Sequence, residues 1–264
     1  MDAEGAAAVT YELREGRVAW LGLNRPGKRN AINDALLDEL AAAVRRAQGE
    51  ARAIVVFGHG PCFCAGLDLA EHRAREPAEV FHHSRSWHST FSVIRRGRIP
   101  AIAALHGATV GGGLELAAAC HLRVADATAF FALPEGSRGI YVGGGASVHV
   151  ARLIGAPRMM DMMLTGRVLD AAAAERAGLA QYLAPEGGAP DKAGELAAKV
   201  AEMAPLTVLG VLGALPRIQD MGEDDGLFVE SMMAALAQTG PEAAARLADF
   251  AEKRGAKVAG PSVG

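Results

Sequence analysis

The 264-residue chain lacks a surplus of charge of either sign: 27 Lys and Arg stand against 30 Asp and Glu, a formal net charge of −3. A protein that grips nucleic acid or an anionic membrane surface shows a basic footprint, so neither is an expected partner. Long apolar runs are also missing, none approaching the ~18 residues of a membrane span. The first nine residues carry acids where an export signal carries positive charge, and their alanine run is short and weakly apolar, so a cytoplasmic location is expected. Cysteine is scarce. Cys62, Cys64 and Cys120 cannot all pair, and Cys62 and Cys64 stand too close for an ordinary bridge, so small buried or loop thiols are expected. No fixed-period repeat marks a solenoid.

What is present is apolar material for a large core, 50% of residues being hydrophobic against 22% charged. Two alternating runs, 9–13 and 17–23, flank Glu15-Gly16 and predict a β-hairpin. Asn33 then precedes Leu36, Leu37, Leu40, Ala43, Val44 and Ala47, a helical face with Asn33 as N-cap and Gly49 as stop. Residues 53–57 and 101–105 are compact apolar runs of buried-strand type, with a helical stretch over 79–96 between them. A helix over 114–119 and strands over 122–125 and 129–133 continue an alternation that predicts an α/β core. From about Asp170, an N-cap for 171–177, the pattern is helical almost without interruption, over 195–203, 206–215, 226–237 and 241–253. The alanine-rich tracts fit helix propensity.

Two glycine-rich segments follow buried strands, where α/β proteins place their sites. The first is Gly58-His59-Gly60-Pro61-Cys62-Phe63-Cys64-Ala65-Gly66-Leu67-Asp68-Leu69. No Lys-Ser or Lys-Thr follows its glycines, so it is not a nucleotide phosphate loop; a ligand loop and a close-packed turn both fit. The second is His106-Gly107-Ala108-Thr109-Val110-Gly111-Gly112-Gly113-Leu114-Glu115-Leu116, strand, glycines, helix. Amides at a helix start lack intrahelical partners and face negative charge, which outlines an anion or oxyanion site. Its spacing is not that of a dinucleotide fold. Glu115 in that first turn could be an ordinary helix acid, and Glu135, in Phe130-Phe131-Ala132-Leu133-Pro134-Glu135-Gly136, a solvated loop acid. Taken as a pair beside backbone donors they suit general acid-base work, one taking a proton from water while the other gives one to carbon.

These residues resemble the enoyl-CoA hydratase/isomerase, or crotonase, superfamily. The likeness rests on five motifs in order, spread over nearly the whole chain: Asn24-Arg25-Pro26 with Arg29-Asn30-Ala31, Phe63 to Leu69, Gly111-Gly112-Gly113-Leu114-Glu115-Leu116-Ala117, Phe131-Ala132-Leu133-Pro134-Glu135, and Ala248-Asp249-Phe250-Ala251-Glu252-Lys253-Arg254. The resemblance implies an α/β crotonase-like spiral of ββα units over 1–204 and a helical region over 205–264 that packs subunits into a homotrimer or hexamer. It implies an acyl-CoA thioester substrate and no separate cofactor, CoA being part of the substrate. The amides of Leu67 and Gly112 are the implied oxyanion hole, and Glu115 and Glu135 the implied catalytic pair of a hydratase. Arg29, Ala31, Ala65, Gly66, Asp68, Leu69, Gly111, Pro134 and Gly143 are the implied substrate contacts. Other readings are double-bond isomerisation, C–C cleavage, or an acyl-CoA-binding oligomer without catalysis.

Three positions depart from the family pattern. Val142 stands where proline is usual, Ala146 where glycine is, and His121 where aspartate is. His82, His83 and His88 do not complete a ligand pattern with an acid, and no metal site is expected. Met159, Met160, Met162 and Met163 fit core packing, a subunit contact or an acyl pocket. Arg25, Lys28 and Arg29 suit either CoA phosphates or solvent.

Overall fold

The computed structural model describes residues 7–69 and 76–252. The chain divides into two compact units, 1–202 and 203–264. Six strands form the large sheet of the first unit. They are β1 (Val9–Arg14), β2 (Val18–Leu23), β3 (Ala53–Gly58), β4 (Ala101–Leu105), β6 (Leu122–Asp126) and β9 (Tyr182–Ala184), paired in that order. Only β1–β2 is antiparallel. A smaller sheet joins β5 (Ala108–Val110), β7 (Phe130–Ala132) and β8 (Leu169–Asp170). The helices of this unit are α1 (Asp34–Glu50), α2 (Pro77–Arg95), α3 (Gly112–Ala119), α4 (Ala146–Ile154), α5 (Ala156–Thr165), α6 (Ala171–Arg176) and α7 (Ala189–Ala201).

The apolar runs are continuous because both faces of the large sheet are covered. Val18, Trp20, Ala53, Val55, Ile102, Ala104 and Val124 point to one face, where they meet α7. That helix presents Ala189, Ala193, Ala197 and Ala201, a stripe four residues apart that lets it lie close to the strands. Ala19, Leu21, Leu23, Ile54, Val56, Ala101, Ala103, Leu105 and Ala125 point to the other face, into a core shared with α1, α2 and α3. Successive turns of the chain supply one strand to each sheet and then a helix. β4, β5 and α3 make one such turn and β6, β7 and α4 the next. β3, the segment carrying the Cys64–Thr109 bridge, and α2 make the turn before them. Each turn thereby delivers a loop and a helix start to the same edge.

The expected hairpin forms as β1 and β2, and Asn33 caps α1 by accepting the Leu36 N–H at 3.0 Å. Gly49 does not stop α1, which runs one residue further to Glu50. Asp170 caps α6, accepting the Ala173 N–H at 2.7 Å. Three further expectations need correction. The 106–113 segment is not one loop, because β5 lies within it, held by β7 on one side and by Cys64 on the other. The chain beyond Asp170 is interrupted by β9, which closes the edge of the large sheet beside β6. α7 begins at Ala189, six residues ahead of its expected start.

The second unit is helical: α8 (Pro205–Leu209), a π-helical turn over Gly210–Ala214, α9 (Leu215–Ile218), α10 (Glu223–Gln238) and α11 (Pro241–Ala251). Lys253 and Arg254 of the last motif lie outside the described residues, as do residues 70–75. Among the described residues no single helix is long and apolar enough to cross a membrane.

One buried amide fixes the path from β3 into the first glycine-rich segment. Asn30, fully buried at φ 54°, donates from Nδ2 to the carbonyls of His59 (2.9 Å), Cys62 (2.9 Å) and Phe63 (3.1 Å), while its Oδ1 accepts the Arg25 N–H at 2.9 Å. Truncating it orphans several buried polar groups, each costing roughly 1–3 kcal/mol. Asn30→Ala is therefore expected to lower unfolding free energy by at least about 3 kcal/mol, read from urea denaturation; a loss below about 1 kcal/mol would contradict this role.

Candidate active site

The first glycine-rich segment lies between two neighbours. On one side Phe63 N–H donates to His106 O and Cys64 N–H to Ala108 O, at 2.8 and 2.9 Å. On the other, Ala65 N–H donates to Arg29 O (3.0 Å), Ile32 N–H to Gly66 O (2.7 Å) and Asp68 N–H to Ile32 O (2.9 Å). A parallel bridge of that kind uses the groups flanking Leu67 and turns Leu67's own N–H away from Ile32.

The second segment ends in the start of α3. Gly111 has φ 53° and ψ −121°, a conformation closed to L side chains, and its N–H is taken by Ala132 O at 2.9 Å. Gly112 and Gly113 are the first residues of α3, so of the three glycines it is these two that stand at the helix start. The two segments touch: a Cβ on Gly66 would lie 3.3 Å from the Gly112 nitrogen and 2.8 Å from Val110 O. Leu67 and Gly112 line the same cavity, of about 170 Å³, and among the described residues neither N–H has an acceptor.

Glu115 and Glu135 line that cavity too, both buried. Glu115 sits one turn into α3, and its Oε1 accepts the N–H groups of Gly144 (2.8 Å) and Ala146 (3.0 Å). Burial pushes its carboxyl up to about 7; the amides of Ala146 and Gly144 oppose this and the nearby Glu135 reinforces it. Glu135 follows β7 at the head of a 3-10 turn over Gly136–Arg138. Burial raises it as well, against the pull of Arg138, and its Oε2 is buried with no protein partner among the described residues. Two carboxyls of raised affinity for protons, facing one cavity beside two unclaimed amides, can hold a water, pass protons and stabilise a developing negative oxygen.

Of the implied substrate contacts, Ala65, Gly66, Leu69, Gly111 and Gly143 line the cavity. Four do not. Asp68 is buried in an ion pair with Arg25 at 2.9 Å, and Arg25 also donates to Ala31 O, so both groups brace the loop from behind. Arg29 and Ala31 flank the strip behind Ala65, outside the cavity wall; Arg29 is exposed. Pro134 stands outside it as well, its carbonyl accepting the Ser137 hydroxyl at 2.7 Å.

The wall also contains residues that the motifs did not mark: Val80, His83, Ser84 and Trp87 of α2, and Arg138, Ile140, Tyr141 and Gly144. Positions 80, 83, 84 and 87 form one face of a helix, a spacing visible in the sequence. None of the four methionines lines the cavity; Met159 and Met162 are core, and Met160 is exposed. His83 Nε2 lies 2.9 Å from Asp34. The departures have structural accounts. Val142 and Ala146 enter the core while the chain still brings the Gly144 and Ala146 amides to Glu115. His121 is half-buried; its Nδ1 accepts the Ala101 N–H at 3.0 Å and its Nε2 lies 3.2 Å from Arg95 O, so it joins β4 to the end of α2. Burial lowers its pKa to about 4, keeping the ring neutral in that bridge.

Fold and site together define an α/β protein in which two buried carboxyls and the main chain of two loop segments line one cavity. The family model for enoyl-CoA hydratase/isomerase matches residues 14–260, and the chain belongs to that family. It is 36% identical over 237 residues to probable enoyl-CoA hydratase 2, mitochondrial, of Arabidopsis thaliana, covering 89% of this chain and 79% of the relative. Among solved structures it is similar to a putative enoyl-CoA hydratase from Rhodopseudomonas palustris CGA009, at TM-score 0.91 and 50% identity over 94% of this chain and 95% of that one. An enoyl-CoA hydratase from Bacillus anthracis gives 0.88 at 29% identity, over 95% and 98%. The spiral α/β fold is that of these proteins.

Because Glu115 binds its proton more tightly folded than unfolded, its contribution to stability is complete below the ordinary carboxylate range. That contribution is lost as pH rises through about 7. Glu115→Gln keeps an oxygen for the two amides and cannot ionise. Its melting temperature is expected to exceed the parent's at pH 8, with the gap closing toward pH 5 in a thermal-shift series; a gap independent of pH would remove burial as the cause.

Proposed function

We propose that the chain is an enoyl-CoA hydratase, adding water syn across the double bond of a 2-enoyl-CoA thioester. What carries this reading is that Glu115 and Glu135 open onto the cavity that Leu67 and Gly112 also line. With the thioester oxygen at the amides of Leu67 and Gly112, electron density moves onto it as a bond forms at Cβ. Water supplies its oxygen to Cβ and a proton to ionised Glu115, whose other oxygen is fixed by the Gly144 and Ala146 amides. The enolate collapses and takes a proton at Cα from Glu135. One proton is held by the pair before and after, and it returns to Glu135 through the next water. The step calls for proton transfer and charge stabilisation, both within reach of side chains and main chain, so no separate cofactor is proposed.

Incubation with a panel of 2-enoyl-CoA thioesters should abolish the absorbance of the conjugated thioester and yield products heavier by one water. Isomerisation leaves the mass unchanged and C–C cleavage lowers it. Glu115→Gln and Glu135→Gln should each reduce kcat by at least about 10². Since one proton must sit on the pair, kcat/KM should be bell-shaped in pH with a limb near 7, and Glu115→Gln should lack that limb. Full activity in either variant would end the proposal.

We also propose that the chain assembles as a homotrimer or a pair of trimers. The second unit leaves Phe228, Phe250, Leu227, Met232 and Leu247 more than half exposed, which supports a covered surface. Light scattering after size exclusion should return three or six times the chain mass, and a monomer would refute this.

A further inference from the structure

Apart from the two glutamates, the cavity wall is mostly apolar, with Leu69, Val80, Trp87 and Ile140 contributing to it. Most of its other polar side chains are engaged within the protein. His83 meets Asp34 at 2.9 Å, the Ser84 hydroxyl donates to Gly143 O at 2.6 Å, and the Tyr141 hydroxyl accepts from Ser147 at 3.1 Å. Arg138 differs. It lines the same wall, and among the described residues its guanidinium has no hydrogen-bond or ion-pair partner.

The main chain fixes where this cation stands. Arg138 N–H donates to Glu135 O at 3.0 Å and Ile140 N–H to the same oxygen at 3.1 Å, with Gly139 turning left-handed at φ 70° between them. The guanidinium is near enough to Glu135 for its charge to oppose the effect of burial there. Arg138 is exposed as well as lining the cavity, so its guanidinium stands where the cavity meets solvent, whereas Glu115 and Glu135 are buried. An acyl tail entering beside it displaces water from the cation. A methyl-ended tail returns no acceptor for the lost hydration, whereas a carboxylate returns two oxygens in the fork geometry guanidinium favours.

We propose that the acyl group of the substrate carries a second carboxylate, remote from the thioester, which pairs with Arg138. This rests on the acyl-CoA reading above and narrows it to dicarboxylic acyl thioesters.

The test uses matched pairs of CoA thioesters of equal chain length, one ending in methyl and one in carboxylate. Saturated pairs are titrated calorimetrically and 2-enoyl pairs are followed for hydration. The carboxylate-ended member should bind at least about tenfold tighter, the worth of one charge-assisted hydrogen bond. Its kcat/KM should lead by a similar factor, mainly through KM. Arg138→Leu should bring both ratios to one or below, and Arg138→Lys should restore part of the preference, with melting curves confirming that both variants fold. A ratio at or below one in the parent protein overturns the proposal. So does a ratio that survives Arg138→Leu, the result expected if Arg138 acts only through the charge of Glu135, since both substrates would then slow alike. Binding preference without water addition in any pair would leave this inference standing and remove the hydratase reading.

Discussion

The site depends on a carboxyl that is buried and yet hydrogen-bonded to two main-chain amides. Glu115 in α3 accepts from Gly144 and Ala146, so one side chain ties the start of a buried helix to the turn that opens α4. Two opposing effects of similar size meet there. Hydrogen bonds to a charged group contribute roughly 1.5–3 kcal/mol each, while removing a carboxylate from water costs several. Burial wins, with the nearby Glu135 adding to it, and the group is raised to about 7, where either protonation state is accessible near neutral pH. With fewer donors the group would stay protonated and hold no proton acceptor in reserve; with a wetter site it would ionise fully and lose its coupling to Glu135.

Much of this could be read from the chain before any coordinates. The apolar runs of β3 and β4 read as buried strands, and the glycines before Glu115 as a close approach of main chain; at Gly112 and Gly113 that approach is to Trp87 and to the Cys64 backbone. What escaped has a common cause. β5 has three residues and β9 three, too few to express a period of two, and they exist because Cys64, β7 and β6 offer them partners. Such strands are set by tertiary pairing, which local pattern does not carry. α4 was not among the expected elements and α5 was marked only by its methionines, although both follow a glycine and carry an amphipathic spacing that fits a helical template.

The candidate site was legible in its charged pair and its loops, and less so in its walls. Asp68 stands in a motif between two cavity-lining leucines, so it looks like a ligand contact. In extended chain, however, neighbours alternate, and the bridge between Ile32 and Leu67 turns Asp68 toward Arg25. Arg25 and Asp68, distant in sequence, each resemble a lone functional charge; together they are a brace. The α2 face was the opposite case. Its histidines invited a metal reading, while the informative feature was the repeat of Val80, His83, Ser84 and Trp87 along one side.

The departures at Val142, Ala146 and His121 show why a motif can drift while its geometry persists. Glu115 is held by N–H groups, and so is the site proposed for the thioester oxygen; a backbone amide is supplied by any residue but proline as long as the chain keeps its path. Val142 and Ala146 contribute apolar side chains to the core that secures that path, and His121 spans from Ala101 to Arg95 as a neutral hydrogen-bonding wedge. Side chains that reach the cavity are under a different constraint, because there the atoms themselves meet the ligand. Arg138 lines the cavity on the turn that Glu135 begins, and among the described residues no hydrogen bond or ion pair ties its guanidinium to the fold, so the fold by itself does not account for that side chain.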